Sequence, residues 1–189
     1  MNSTADLYHR HRLTVEDYHR MGEMEFFAHD ARIELINGEI INMAPIGNQH
    51  MSVVDQLTKR LVIGAGDDAI VRVQGSVRLD NFSEPEPDLL LLRPRSDFYA
   101  NASAGPDDVM LLIEASESSL RYDREVKLPL YSHAGIPEVW IVDINAKQLT
   151  RYSNPSDGRW INQDSPSDLD HLSPETLNHI TFDLSQLFS

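Results

Sequence analysis

Three stretches of the chain are nearly unbroken in apolar residues: "PDLLLL" from Pro87, "VMLLIEAS" from Val109 and "PEVWIVDI" from Pro137. Runs of this length without polar alternation predict strands covered on both faces, as in the middle of an α/β sheet. "DAIVRVQGSVRLD" alternates apolar and polar positions and predicts a half-buried strand. "RIELINGEIINM" predicts a hairpin, because Asn37-Gly38 supplies the positive φ angles of a tight turn between two β-prone runs. "KQLTRYS" predicts a strand that pairs with "PEVWIVDI" across a tight turn at Asn145-Ala146.

The helical signals have the longer period. "LTVEDYHRM" predicts a short helix capped by Thr14, with Asp17 in place of the Glu or Gln of a capping box. In "NQHMSVVDQLTKRLVIGAG" Met51, Val54, Leu57 and Leu61 recur at helical spacing, and Gly64 and Gly66 end the helix. "LRYDREVKLPLYSHAG" is helical by pattern but contains Pro129; either the helix kinks there or it begins late enough for the proline to fall in its first turn. "RPRSDFYANASAGPDD" is a long polar loop, and the tail from Ser153 is loop-rich, closing with "HITFDLSQLF" docked on the body. The order of elements predicts an α/β fold formed as one domain over residues 1–189, with the hairpin and the strands at Asp88, Glu114 and Trp140 in one mixed sheet flanked by helices.

Composition narrows the chemistry. The chain is 41% hydrophobic and has no cysteine, which removes disulfides, thiolate metal sites and cysteine nucleophiles and fits a reducing cytoplasm. The polar start "MNSTADLYHRHR" lacks the apolar core of a signal peptide, and no apolar run reaches the roughly 18–20 residues of a membrane span. A soluble cytoplasmic protein is expected. Sixteen basic residues face thirty acidic ones, a net charge of −14, which argues against tight non-specific binding to nucleic acid. The excess is steepest in the tail, where Arg159 stands alone against six acidic residues, so a basic groove elsewhere is compatible with the total.

Two carboxylates break the apolar pattern. Asp88 precedes four leucines, and Glu114 follows "VMLLI". If the two strands are neighbours, both acids reach one place, where like charges repel and one is driven to hold a proton. A hard divalent cation relieves that repulsion, and Mg²⁺ or Mn²⁺ needs only one or two carboxylates plus substrate phosphate. The plainer alternative has Asp88 capping a turn and Glu114 paired with Arg93 or Arg121.

"ELINGEIINM", His50, "PEPDLLLL", "LLIEASESS", "YDREVKLPLY", "AGIPEVWIVD" and "FDLSQLF" stand in an order that resembles the Uma2 (DUF820) restriction-endonuclease family of the PD-(D/E)XK nuclease superfamily. The resemblance implies a restriction-endonuclease-like core and Mg²⁺-dependent hydrolysis of DNA phosphodiesters. It implies that Asp88 and Glu114 bind the metal, with the carbonyl of Ala115 as a further ligand. The chain departs from the motif at Ser116, which stands where the superfamily has lysine. Lys127 in "DREVK", four residues after Asp123 and so on the same helical face, is the expected relocated cation, and its loss is expected to spare the fold. A surface Asp123–Lys127 pair is the alternative. Glu34 and Glu39 match the family's "ELxxGE" and are candidates for additional metal contacts, while His50 is a candidate base or phosphate contact. Tyr131 and Trp140 are expected to pack, and the His9/His11 pair is set aside as a terminal feature. A homodimer is expected on grounds of symmetry. Two other readings stay open: a catalytically silent binding or dimerisation module, and a metal-free acid/base hydrolase.

Overall fold

The computed structural model describes residues 10–188; His9 lies outside them. The chain runs through α1 (Val15–Glu23), β1 (Ile33–Ile36), β2 (Glu39–Asn42), α2 (Asn48–Ala65), β3 (Ile70–Val73), β4 (Leu89–Leu92) and β5 (Val109–Ser116). It continues through α3 (Leu120–Tyr122), a π-helical turn (Asp123–Lys127), α4 (Leu128–His133), β6 (Glu138–Asp143), β7 (Gln148–Ser156) and β8 (Arg159–Asp164). Strands β3 to β8 form one six-stranded sheet in sequence order. β5 and β6 are parallel and every other neighbouring pair is antiparallel, so the sheet is mixed as expected.

The parity of the central strands sorts the core. Leu89 and Leu91 of β4, Leu111, Ile113 and Ala115 of β5, and Trp140 and Val142 of β6 point to the face covered by α2 and the tail. Leu90, Leu92, Leu112, Val139 and Ile141 point to the face covered by α4 and the loop around Val77 and Tyr99. Asp88, Glu114 and Ser116 share the parity of this second set, so the apolar face becomes polar at one end of β4 and β5.

Several sequence expectations are corrected. The hairpin is not part of the main sheet: β1 and β2 form a separate two-stranded sheet, held by a bridge between Leu35 and Glu84. The extended "SEPEP" segment interrupts the sheet before β4 and offers its own backbone to the hairpin. The α2 face is rotated, with Met51 half-exposed and Val53 buried beside Val54, Leu57, Leu61 and Ala65. Gly64 lies inside α2, where a Cβ would come within 2.7 Å of the Phe182 ring, and only Gly66 caps the helix. β3 stops at Val73, because the chain turns away to pair Val77 with Pro85 and Leu79 with Ser83. The β6–β7 turn spans four residues, 144–147, with Asp143 Oδ1 accepting from the Ala146 amide at 2.9 Å.

Part of the expected loop-rich tail is strand β8. Its turn was signalled by Asp157-Gly158, which take φ +48° and +76° and so permit a tight hairpin. Pro129 falls in the first turn of α4. Without an N–H it cannot join an α-helical ladder to Glu125, and the widened π turn immediately before it accommodates that break.

Candidate active site

The polar end of β4 and β5 opens into a cavity of about 290 Å³. The hairpin and the 43–46 segment wall one side; the 117–119 loop, Tyr122 and the π turn wall the other. Asp88, Glu114, Lys127, Glu34, His50 and Asp123 all line it. Each arrives for a local reason. Pro85 and Pro87 hold the chain extended up to Asp88, and β4 starts directly after it. Glu114 is two residues from the end of β5. Asp123 and Lys127 bracket the π turn and are both buried.

Nearly every polar atom here has a partner. Asp88 Oδ2 accepts from the Ala115 amide at 2.9 Å, and His50 Nε2 lies 3.0 Å from Asp88 Oδ1. This ties the Asp88 carboxylate to the backbone next to Glu114. Glu114 Oε1 accepts from Lys127 Nζ at 3.0 Å and from Tyr131 Oη at 2.6 Å. Lys127 Nζ also lies 3.2 Å from Glu34 Oε2, which in turn accepts from the Glu86 amide at 3.2 Å. Asp123 Oδ2 accepts from Ser116 Oγ at 2.7 Å and from Ser119 Oγ at 2.6 Å. Ser116 therefore serves the floor of the site by fixing Asp123. Glu114 and Lys127 are each only 3% exposed.

The charges are out of balance. Burial, against the opposing pull of Lys127, pushes the Glu114 carboxyl up to about 8. Burial also disfavours the charge on Lys127, but Glu114 and Glu34 outweigh it and hold the ammonium above the usual lysine range. The hydrogen bond to Asp88 holds His50 above the usual histidine range despite burial. Burial raises Glu86 as well, with Arg32 acting against it. His50 Nδ1 is buried without a hydrogen-bond partner among the described residues. Burial is the main reason that Tyr122 sits above the usual tyrosine range.

This donor set fits a hard divalent cation. It offers carboxylate oxygens with no thiolate, at a place where burial, with Asp123 and Asp88 adding to it, opposes the charge on Glu114. Among the described residues no cluster of three or more potential ligands forms a cage, but Mg²⁺ keeps most of its waters and needs only one or two carboxylates. Asp88 and Glu114 each bring a carboxylate to this cavity.

Of the residues expected from sequence, Asp88, Glu114, Lys127, Glu34, His50, Ser116 and Asp123 converge here, with Ala115 contributing its amide to Asp88. Glu39 does not: its exposed carboxylate pairs with Arg10 at 3.0 Å, on the far side of the hairpin turn. The surface Asp123–Lys127 pair is not formed, since Lys127 turns inward to Glu114 and Glu34. Arg121 pairs with Glu125 and Arg93 donates to the Asp107 carbonyl, so neither serves Glu114. Tyr131 does more than pack, and its i+4 spacing from Lys127 was the available signal. Arg32, Glu86 and Tyr122 also line the cavity. All three lie in segments the sequence marks, "RIELINGEIINM", "PEPDLLLL" and "YDREVKLPLY", but nothing in those segments singles out these side chains.

A mixed sheet with a carboxylate pair at the ends of two central strands and a lysine delivered from a following helix defines a protein of the restriction-endonuclease-like class. Residues 15–185 match the model of Uma2, described as "Putative restriction endonuclease", and the chain belongs to that family. The fold is shared with a crystal structure from Anabaena variabilis ATCC 29413, described as a "putative nuclease belonging to DUF820". The two are 14% identical with a TM-score of 0.69, over 93% of this chain and 97% of that one. No curated protein matches the chain. No helix among the described residues is long and apolar enough to cross a membrane.

Proposed function

We propose that the protein is a Mg²⁺- or Mn²⁺-dependent endonuclease that hydrolyses DNA phosphodiesters, working in the cytoplasm as a single-domain subunit of a homodimer. The observation that carries this reading is the convergence of Asp88, Glu114 and Lys127 in one cavity of a chain that belongs to a nuclease family. Asp88 and Glu114 would hold the metal, with the Ala115 carbonyl beside them. The ion would supply Lewis-acid activation of water and of the scissile phosphate. The protein's own groups do the rest. The Ala115 amide and His50 orient Asp88, and Tyr131 orients Glu114. The Lys127 ammonium, buried at the floor, offers fixed positive charge to an oxyanion developing above it.

Plasmid DNA incubated with Mg²⁺ or Mn²⁺ is the test. Nicking or linearisation by the wild type and not by Asp88→Asn is expected, with Mn²⁺ binding weakened in the variant. Metal binding without cleavage of any DNA would favour the silent-module reading. One feature of the site supports that second reading: Lys127 is already neutralised by two carboxylates.

A further inference from the structure

Three cationic side chains line the cavity, and their situations differ. Lys127 is held by Glu114 and Glu34 at the floor. His50 is bound to Asp88. Arg32 sits just ahead of β1 on the cavity wall, and among the described residues no carboxylate lies within ion-pairing distance of it. One of its donors is engaged: Nη1 gives a hydrogen bond to the Ala44 carbonyl at 2.7 Å. A guanidinium has five N–H donors in a rigid fork, so this bond anchors the group and leaves donors for a ligand.

We infer that Arg32 is a substrate-binding residue whose guanidinium holds a phosphate of the polynucleotide at the wall of the cavity. The site needs such a group. A phosphodiester that approaches Glu34, Glu86, Asp88, Glu114 and Asp123 meets mainly negative charge, and the Lys127 ammonium is already shared between two carboxylates. Arg32 is the cation lining the cavity whose charge is not cancelled by an ion pair. A bidentate guanidinium–phosphate contact also fixes orientation, which a lone ammonium does not. The inference rests on the nuclease reading and adds to it the residue that seats the substrate.

Two substitutions separate charge from anchoring. Arg32→Gln keeps a donor for the Ala44 carbonyl and removes the charge; Arg32→Lys keeps the charge in a different shape. The metal-free proteins are titrated into a fluorescein-labelled DNA oligonucleotide in EDTA, and anisotropy is followed as salt is varied. Arg32→Gln should weaken binding roughly tenfold or more and make the log–log salt slope shallower by about 0.7–1. Arg32→Lys should retain most of the affinity, and Mn²⁺ affinity should be unchanged in both. Equal affinity and salt slope for Arg32→Gln and the wild type would overturn the inference. So would an equal loss in both variants that tracks a lowered melting temperature, since that would make Arg32 only an anchor for the 43–46 wall. Plasmid cleavage distinguishes the two levels. A wild type that cuts while Arg32→Gln binds and cuts normally removes Arg32 alone. A wild type that neither binds nor cuts DNA removes the nuclease reading and this inference with it.

Discussion

Replacing Lys127 by methionine tests the site's electrostatics most directly, and the structure changes the outcome expected from sequence. The expectation from sequence is that a relocated cation can be lost with little effect on folding. Lys127 is instead 3% exposed, with Glu114 Oε1 at 3.0 Å and Glu34 Oε2 at 3.2 Å. Methionine fills the stem of the side chain but leaves two buried carboxylates without their cation. Burial already pushes Glu114 up to about 8 against the pull of Lys127, so with that cation gone it takes up a proton near neutrality. The second carboxylate must then stay charged in the interior, at roughly 3–5 kcal/mol, or take up a proton. From the unperturbed glutamate value, protonation costs about 3–4 kcal/mol at pH 7 and about 1 kcal/mol at pH 5. The two routes agree near neutrality, so a loss of about 3–4 kcal/mol is expected there, or roughly 6–16 °C in melting temperature for a chain of this size. The pH dependence has a definite sign. Carboxyls whose folded pKa is raised contribute fully below the unfolded value near 4.3, and that contribution is lost as pH rises towards the folded value. The gap between variant and wild type should therefore be small at pH 5 and widen through pH 8. Chemical denaturation at pH 5, 7 and 8 measures it, and adding Glu34→Gln to Lys127→Met should recover part of the loss. A variant as stable as the wild type at pH 8, or a deficit independent of pH, would refute the reasoning. Under conditions where the variant is folded, cleavage should fall by about 10²–10⁴-fold.

Other substitutions probe neighbouring parts of the site. Asp88→Asn keeps an acceptor for the Ala115 amide, so it should fold normally while Mn²⁺ affinity, read by electron paramagnetic resonance, and plasmid cleavage both fall. Tyr131→Phe removes the 2.6 Å donor to Glu114 and should cost about 1–3 kcal/mol in denaturant unfolding. Its metal affinity should change less than that of Asp88→Asn. Glu39→Gln should leave cleavage and Mn²⁺ binding as they are, since its carboxylate faces Arg10 outside the cavity; a loss of either would bring the far side of the hairpin into the site.

The strands that build the site were legible because their chemistry is one-dimensional. Leu89–Leu92 and Val139–Val142 read as doubly buried from an unbroken apolar run, and the acids at Asp88 and Glu114 stood out against it. What escaped was set by partners distant in sequence. The hairpin reads correctly as a hairpin, yet nothing in "ELINGEIINM" shows that it pairs with the Glu84 segment rather than with a sheet strand. Met51 has the spacing of a buried residue, but the tail residues Phe182 and Leu184 decide which side of α2 is covered. β8 has a weak signature although Asp157-Gly158 marks its turn, because "RWINQD" carries few apolar residues and lies at the edge of the sheet. Arg32 has no pattern at all; its role comes from where the hairpin docks.

Why a carboxylate should stand at the mouth of a buried strand has an answer in this geometry. Asp88 is tolerated because the Ala115 amide and His50 take up its two oxygens, and Asp123 because two serine hydroxyls converge on it. Satisfaction of that kind would suffice for a structural acid. Glu114 is different. Its partners do not neutralise the site, since one ammonium is shared between it and Glu34 while Asp88 and Asp123 add to the negative field. A fold selected only for stability would gain by replacing such a buried, incompletely balanced group with an apolar one of similar size. The retained imbalance is instead what a site needs if a cation and a phosphate are to enter together, the cation relieving Glu114 and Asp88 while the phosphate meets Arg32 and Lys127. One substitution with two opposite effects follows from this. Glu114→Gln should stabilise the metal-free protein at pH 8 relative to the wild type, because it removes an ionisation that burial opposes, and it should weaken Mn²⁺ binding. Thermal melts with and without Mn²⁺ measure both effects at once. A Glu114→Gln protein that is less stable without metal, or that is stabilised by Mn²⁺ as much as the wild type, would show that Glu114 is a structural partner of Lys127 and Tyr131 and nothing more.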